Sequence, residues 1–368
     1  RSIKIDLINQ EAINFTKKSV ALLVSWPPPV NTSKTKLFLL DAYFYMSFVI
    51  TVSSMAVLIN GMYANRNNLE IIIQSTCTAL AIIQMSFKMM ACKTKRSNLQ
   101  TLVAEMENVL KQAQPYERTI LGKYVNRCAL LHISLTFGFY LGAVGIIMGP
   151  LFLPQPLPTF AIYPFSVDSH PIYEIVYFQQ AFTALQASAA ASIDCQVASL
   201  LWFAGARFEM LKVELTNVLD DFDLKRCILK HQHILRYAED VAKNVRLVIL
   251  ATVGVTAMLM VFSGLLFLFV SIFTYVVAAV SVIQLFINSY PAENLLEMSY
   301  GIGSAAYSSN WIDKSQKMWT DIRAVIQRSQ KPVKVSVGGF LPSLSLTYYM
   351  SFLSSSFSYF TTMRATVQ

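Results

Sequence analysis

Apolar positions along this chain gather into long runs separated by shorter segments in which charge collects. A bilayer core roughly 30 Å thick needs about 20 such residues in a helix. Runs of that length lie at residues 37–59, 69–90, 128–153 and 172–203. Residues 247–292 contain no charged side chain at all. At about 1.5 Å per residue that stretch reaches more than twice across the core, which predicts two spans and a tight turn near Ser271. A seventh span is predicted at 344–363. Wound at about 100° per residue, it places Thr347, Ser351, Ser354, Ser355, Ser358, Thr361 and Thr362 within roughly a third of its circumference, with Met350, Leu353, Phe357 and Phe360 opposite. One face suits lipid or packed protein. The other suits water, or neighbours that it glues through hydrogen bonds.

Composition agrees with the pattern. Hydrophobic residues make up 54% of the 368 and charged ones only 14%, which points to an all-α membrane protein of seven transmembrane helices. Charge then orients it, because Lys and Arg near span ends are retained in the cytoplasm. The alternating segments 1–36, 91–127, 204–246 and 291–343 hold 27 of the 30 basic residues, so the N-terminus is predicted cytoplasmic and the C-terminus extracellular. The net charge of +9 is what such loops accumulate and needs no nucleic acid; it favours anionic lipids of the inner leaflet. The sequons at Asn14 and Asn31 fall on the cytoplasmic side and are expected to go unused. The first residue is Arg, so the true start is expected to lie further upstream. Five cysteines, none in a predicted outer loop, imply no disulfide framework.

Within the loops, Pro150, Pro154, Pro156, Pro158, Pro164 and Pro171 favour a stiff extended connector after the third span, either a lid over the bundle or a plain link. Ile234, Ala238, Val241 and Val245, and likewise Met318, Ile322 and Val325, recur at helical spacing. They predict cytoplasmic helices that pack on one another or on a neighbouring subunit, or else lie on the membrane surface.

Catalysis is not indicated. His231 and His233 stand two apart, a poor metal pair on a helix, and no HExxH, GxSxG, phosphate-loop or CxxC motif occurs; no cofactor is implied. Asp41 and Lys88 fall near cytoplasmic span ends, where snorkelling is the inexpensive explanation. Asp194 lies deeper, and a contact with Lys88 would offset its burial. The outer halves of spans two, three, four and six hold Thr76, Phe139, Tyr140, Val144, Met148, Tyr177, Gln180, Phe182, Phe273 and Tyr275. This set suits a cavity for a small, mostly apolar ligand.

"QLFINSYPAENL" at 284–295, "AYSSNW" at 306–311, "RSQKP" at 328–332, "GGFLPSLS" at 338–345 and "SYF" at 358–360 together resemble the signature of insect odorant receptors. "HQHILRYAEDV" at 231–241 is similar to that family's segment before the fifth span. The resemblance implies a ligand-gated, non-selective cation channel in the plasma membrane of sensory dendrites, passing monovalent and divalent cations. It implies a heterotetramer in which an odorant-tuned subunit joins a shared co-receptor. The divisions it implies are a cytoplasmic tail (1–36), four spans holding the odorant pocket (37–203), anchor helices (204–246), spans five and six (247–290), a second anchor region (291–343) and a pore-lining span with a short outer tail (344–368). Ser351, Ser355, Ser358, Thr361 and Thr362 would then face the ions.

One position departs from the family. Where Val or Leu generally forms the gate, the "SYF" alignment puts Thr362, so this subunit alone is expected to form a leaky channel or none. A gustatory-type receptor would end in a different Thr-Tyr…Gln-Phe pattern. A metabotropic seven-helix receptor would need the opposite orientation, and neither a DRY-like nor an NPxxY-like motif occurs.

Overall fold

The structure, a computed structural model, describes residues 2–152, 155–159, 161–266, 272–312 and 314–367. Among these residues the chain is helical throughout: α1 (Ser2–Ser19), α2 (Lys34–Ala64), α3 (Leu69–Thr94), α4 (Arg96–Gln112), α5 (Pro115–Met148), α6 (Ile172–Thr216), α7 (Asp221–Leu266), α8 (Ile272–Tyr300), α9 (Ile302–Tyr307), α10 (Gln316–Ser329) and α11 (Leu346–Val367). A lone antiparallel bridge joins Val337 to Leu341. Several starts are fixed by side chains that take up orphan backbone N–H groups. Asn68 accepts from Ile71 N at 3.2 Å and Ser315 from Met318 N at 3.1 Å. Gln114 and Glu117 close a reciprocal box, with Pro115 in the first turn of α5.

Among the described residues five helices are long and apolar enough to cross a membrane, within Lys34–Ala64, Leu69–Thr94, Pro115–Leu151, Ile172–Thr216 and Asp221–Gly264. The other two predicted spans coincide with α8 and α11, and the predicted turn at Ser271 lies outside the described residues. Several helices outrun the apolar stretches that announced them. The predicted third span, 128–153, begins as helix at Pro115 and gives way at Gly149 and Pro150 to a 3-10 turn. The helix of the fourth continues to Thr216, and that of the fifth has already begun at Asp221. An apolar run ends where lipid would end, but the helix continues because its stripe finds protein instead. Phe208, Leu211 and Leu215 on α6 are buried, as are Ile234, Ala238, Val241 and Val245 on α7 and Met318, Ile322 and Val325 on α10. These stripes pack within the chain itself.

At the centre stands α6, where Ala189, Ile193, Ala198, Leu201, Ala204 and Phe208 are fully buried. Around it, α2 and α5 turn Phe38, Val49, Leu130 and Phe137 outward, each 66–80% exposed. That pattern fits a lipid-facing perimeter. The described part of the N-terminal segment is no free tail. It packs against α5 and α6: Tyr140 Oη donates to Ser19 O at 2.7 Å, and Ser25 Oγ to Gln196 Oε1 at 3.2 Å. Ser19 thus lies beside Tyr140, a residue of the predicted third span.

Candidate functional site

A cavity of about 320 Å³ lies between α2, α3, α5, α6, α7 and α8, at the lower end of the size range of small-molecule pockets. It exists because the side chains that meet there are small. From α5 come Gly138 and Gly142, and from α6 Ala184, Ala187 and Ala191. A Cβ added at either glycine would meet nothing within 4 Å.

The proline-rich connector folds across the mouth, with Thr159 and Ala161 in the lining. Gln180 ties it down: its Oε1 accepts from Thr159 N at 2.9 Å and Thr159 Oγ1 at 3.0 Å, while its Nε2 donates to Tyr163 Oη at 3.3 Å. Asn60 Nδ2 donates to Ile162 O at 2.8 Å from the other side. The inner end is closed by Gln84 of α3 and Gln284 of α8, whose amides meet at 3.5 Å.

Of the residues singled out from sequence, Phe139 and Gln180 line this cavity. The others whose side chains are described do not line it. Thr76 is half-buried, its hydroxyl donating to Ile72 O at 2.8 Å. Tyr140 holds the N-terminal segment, as described above. Val144 and Met148 are 48% and 40% exposed. Tyr177 Oη donates to Ile147 O at 2.5 Å and joins α6 to the end of α5. Phe182 stacks on Phe178 with ring centroids 6.1 Å apart. The side chains of Phe273 and Tyr275 lie outside the described residues. Looking for aromatics and hydroxyls overlooked the glycines and alanines that make the space; the Gly138-x-x-x-Gly142 spacing was the available signal.

Below the inner wall lies a dry ion pair. Lys88 Nζ sits 2.7 Å from Asp194 Oδ2, and both side chains are fully buried. The other carboxylate oxygen, Oδ1, accepts from Thr252 Oγ1 at 2.9 Å and Asn288 Nδ2 at 3.0 Å, so α3, α6, α7 and α8 all meet on Asp194. Snorkelling is thus the wrong account of Lys88, because α6 covers it completely and its partner is inside. Asp41 remains near the surface and pairs with Lys93 and, at 2.5 Å, with Arg96.

The hydroxyl face of α11 is open. Ser351, Ser354, Ser355, Ser358, Thr361 and Thr362 are all exposed in the single subunit. Thr361 Oγ1 and Thr362 Oγ1 both donate to Ser358 O at 2.9 Å. Phe352, Ser355, Ser356 and Tyr359 also edge a small crevice of about 150 Å³ against α7. A further cavity of about 400 Å³ separates α1 from α4, α5 and α6. It is larger than the first, but it holds none of the residues expected from sequence to bind ligand.

A bundle of apolar helices of membrane-crossing length around an internal cavity is the architecture of a multi-pass membrane protein. The family model described as 7tm Odorant receptor matches residues 68–357, and the chain belongs to that family. Odorant receptor Or2 of Anopheles gambiae is 27% identical over 275 residues, covering 67% of this chain and 71% of its own length. Odorant receptor 67c of Drosophila melanogaster is 35% identical over 86 residues, 23% of this chain and 21% of its own. The fold matches the insect olfactory receptor OR5 of Machilis hrabei with a TM-score of 0.82 at 17% identity, over 96% of this chain and 98% of that one. The same receptor in complex with eugenol matches with a TM-score of 0.77, over 97% and 99%.

Proposed function

We propose that this chain is the odorant-tuned subunit of a ligand-gated, non-selective cation channel. In this reading seven helices cross the plasma membrane of a sensory dendrite, with the N-terminus inside and the C-terminus outside. A small volatile ligand occupies the roofed cavity, as eugenol is bound by the olfactory receptor of the same fold. Four subunits, this one together with a co-receptor, set their α11 helices around a common axis, bounded on the outside by membrane lipids.

The observation that carries the reading is the exposure of the α11 hydroxyls. Ser and Thr oxygens can replace part of an ion's hydration shell, and the exposed face of α11 lines up six of them. Ligand binding shifts the channel toward its open form only as far as the cavity binds that form more tightly. The contiguous contacts from Gln84 through Gln284 and Asn288 to Asp194 join α3, α8 and α6 beneath the cavity and supply a route for such coupling. Thr362 at the gate position would dewet poorly, so an apolar ring from the co-receptor closes the pore.

The test is current recording from cells expressing the subunit with and without a co-receptor, G-protein signalling blocked. Volatile-evoked currents that survive the block and require both subunits are expected. Gly142→Phe, which fills the cavity, should abolish them at normal surface level. Loss of the response on blocking G proteins would overturn the channel reading.

A further inference from the structure

We propose that the cavity selects volatile ligands bearing a hydrogen-bond acceptor, a ketone, aldehyde or ester oxygen, and that Gln84 and Ser281 are the side chains that hold it. The inference rests on the reading of this cavity as the ligand site and adds to it a chemical class.

The argument is an accounting of polar atoms. Nearly every polar side chain in the wall is already engaged within the protein. Ser54 and Thr183 share a hydrogen bond of 2.9 Å, Thr78 donates to Gln74 O, Ser188 to Phe139 O, and Gln180 is held by the loop. Apart from the weakly polar Cys77 thiol, two donors are left over among the described lining residues. Gln84 Nε2 and Ser281 Oγ are buried and have no partner within the protein, on residues only 7% and 0% exposed.

They belong to one place. Gln284 Nε2 donates to Gln84 Oε1, and Ser281 lies one turn before Gln284 on α8. Turning the amides round leaves the same surplus, since two side-chain amides that share one hydrogen bond keep an NH2 group without a partner. A ligand carbonyl oxygen, an acceptor with two lone pairs, supplies the kind of partner that these donors lack. A hydrocarbon of the same shape strands both of them, and an ammonium finds no carboxylate among the described lining residues. A site built to hydrogen-bond a ligand group discriminates against analogues that lack it.

Matched pairs on one skeleton test this: acetophenone against ethylbenzene, and C7 to C9 ketones against their parent alkanes, applied to cells expressing this subunit with a co-receptor. The ketones are expected to act at concentrations about tenfold lower or better. At equal surface level, Gln84→Met and Ser281→Ala should each raise the ketone concentration needed by more than that of the hydrocarbon, bringing the ratio toward one. The Ser281→Ala change removes a single oxygen and keeps the inference testable if Gln84→Met fails to reach the surface. Wild-type potency equal within pairs, or a ratio that survives both substitutions, overturns the inference alone. Responses that persist in Gly142→Phe overturn the underlying choice of site.

Discussion

Two helices of this bundle use the same small hydroxyl-bearing residues in opposite ways. On α6, Ser192 and Ser199 donate to the carbonyls of Ser188 and Cys195 one turn back, and on α11 Thr362 does the same to Ser358. The local chemistry is identical. In α6 the hydroxyls alternate with Ala187, Ala189, Ala190, Ala191 and Ala198, and neighbouring helices close on them until Ser192 and Ala198 are fully buried. On α11 they alternate with Met350, Phe357 and Tyr359, bulky side chains that are 62–67% exposed where α6 has alanines. A hydroxyl that satisfies itself on its own backbone imposes no surroundings. The residues between the hydroxyls decide whether the face becomes mortar or wall.

The comparison breaks at its strongest point if the buried centre of α6 tolerates change as α11 is expected to. Lys88→Met leaves the Asp194 charge uncompensated, and removing one partner of a buried pair costs about 3–5 kcal/mol. Surface expression should collapse. The double variant Lys88→Met with Asp194→Leu removes both charges and should recover much of it, as read by surface biotinylation. Equal loss in the single and double variants would mean that Asp194 matters through Thr252 and Asn288 rather than through the ion pair.

A smaller effect separates the two helices directly. Ala198→Leu forces three extra carbons into closed packing, an overpacking cost of about 1–3 kcal/mol, and should lower surface level without altering the currents of the molecules that arrive. Ser355→Leu on the open face should leave surface level intact and reduce current. Cysteines at Ser351, Ser355 and Ser358 should react with hydrophilic thiol reagents in activated channels, and one at Ser192 should not. Unreactive cysteines along α11 would make it mortar like α6.

Legibility followed the same division. Lipid-crossing helices were readable because the apolar runs have the length a bilayer demands, and the stripes at Ile234–Val245 and Met318–Val325 because period 3.6 survives in any surroundings. The pair Lys88–Asp194 was legible as a cost in need of a partner. The cavity was not, apart from Phe139 and Gln180, because a void is defined by what is missing. Gly138, Gly142 and Ala187 bear no chemistry that a search for ligand contacts would notice. Tyr140 and Tyr177 lie outside the cavity lining: each has an aromatic body and a hydroxyl handle, and each spends its hydroxyl on a backbone carbonyl of a neighbouring segment. Nor does helical periodicity say that the N-terminal segment folds back along α5, a tertiary contact between residues 121 apart.

The finest distinction lies below the predicted spans, where α7 shares the closed packing of α6. His231 is 4% exposed, edge-on to Phe208, and its Nε2 has no partner. Burial, aided by the nearby positive charge of Arg328, pulls it down from 6.5 to about 4. An unfolded histidine titrates near 6.5, so between those values the unfolded chain binds a proton that the folded one refuses. This contribution to stability is whole above about pH 6.5 and declines as pH falls toward 4. From pH 7.4 to 6 the loss is about 1 kcal/mol or less. His231→Phe offers a ring of similar size without the proton site, so it should match wild type at pH 7.5 in thermal unfolding of the purified protein and exceed it by a widening margin at pH 6 and 5. A constant difference between the two across that range would show that the imidazole is solvated, and that this end of the bundle is looser than its buried stripe implies.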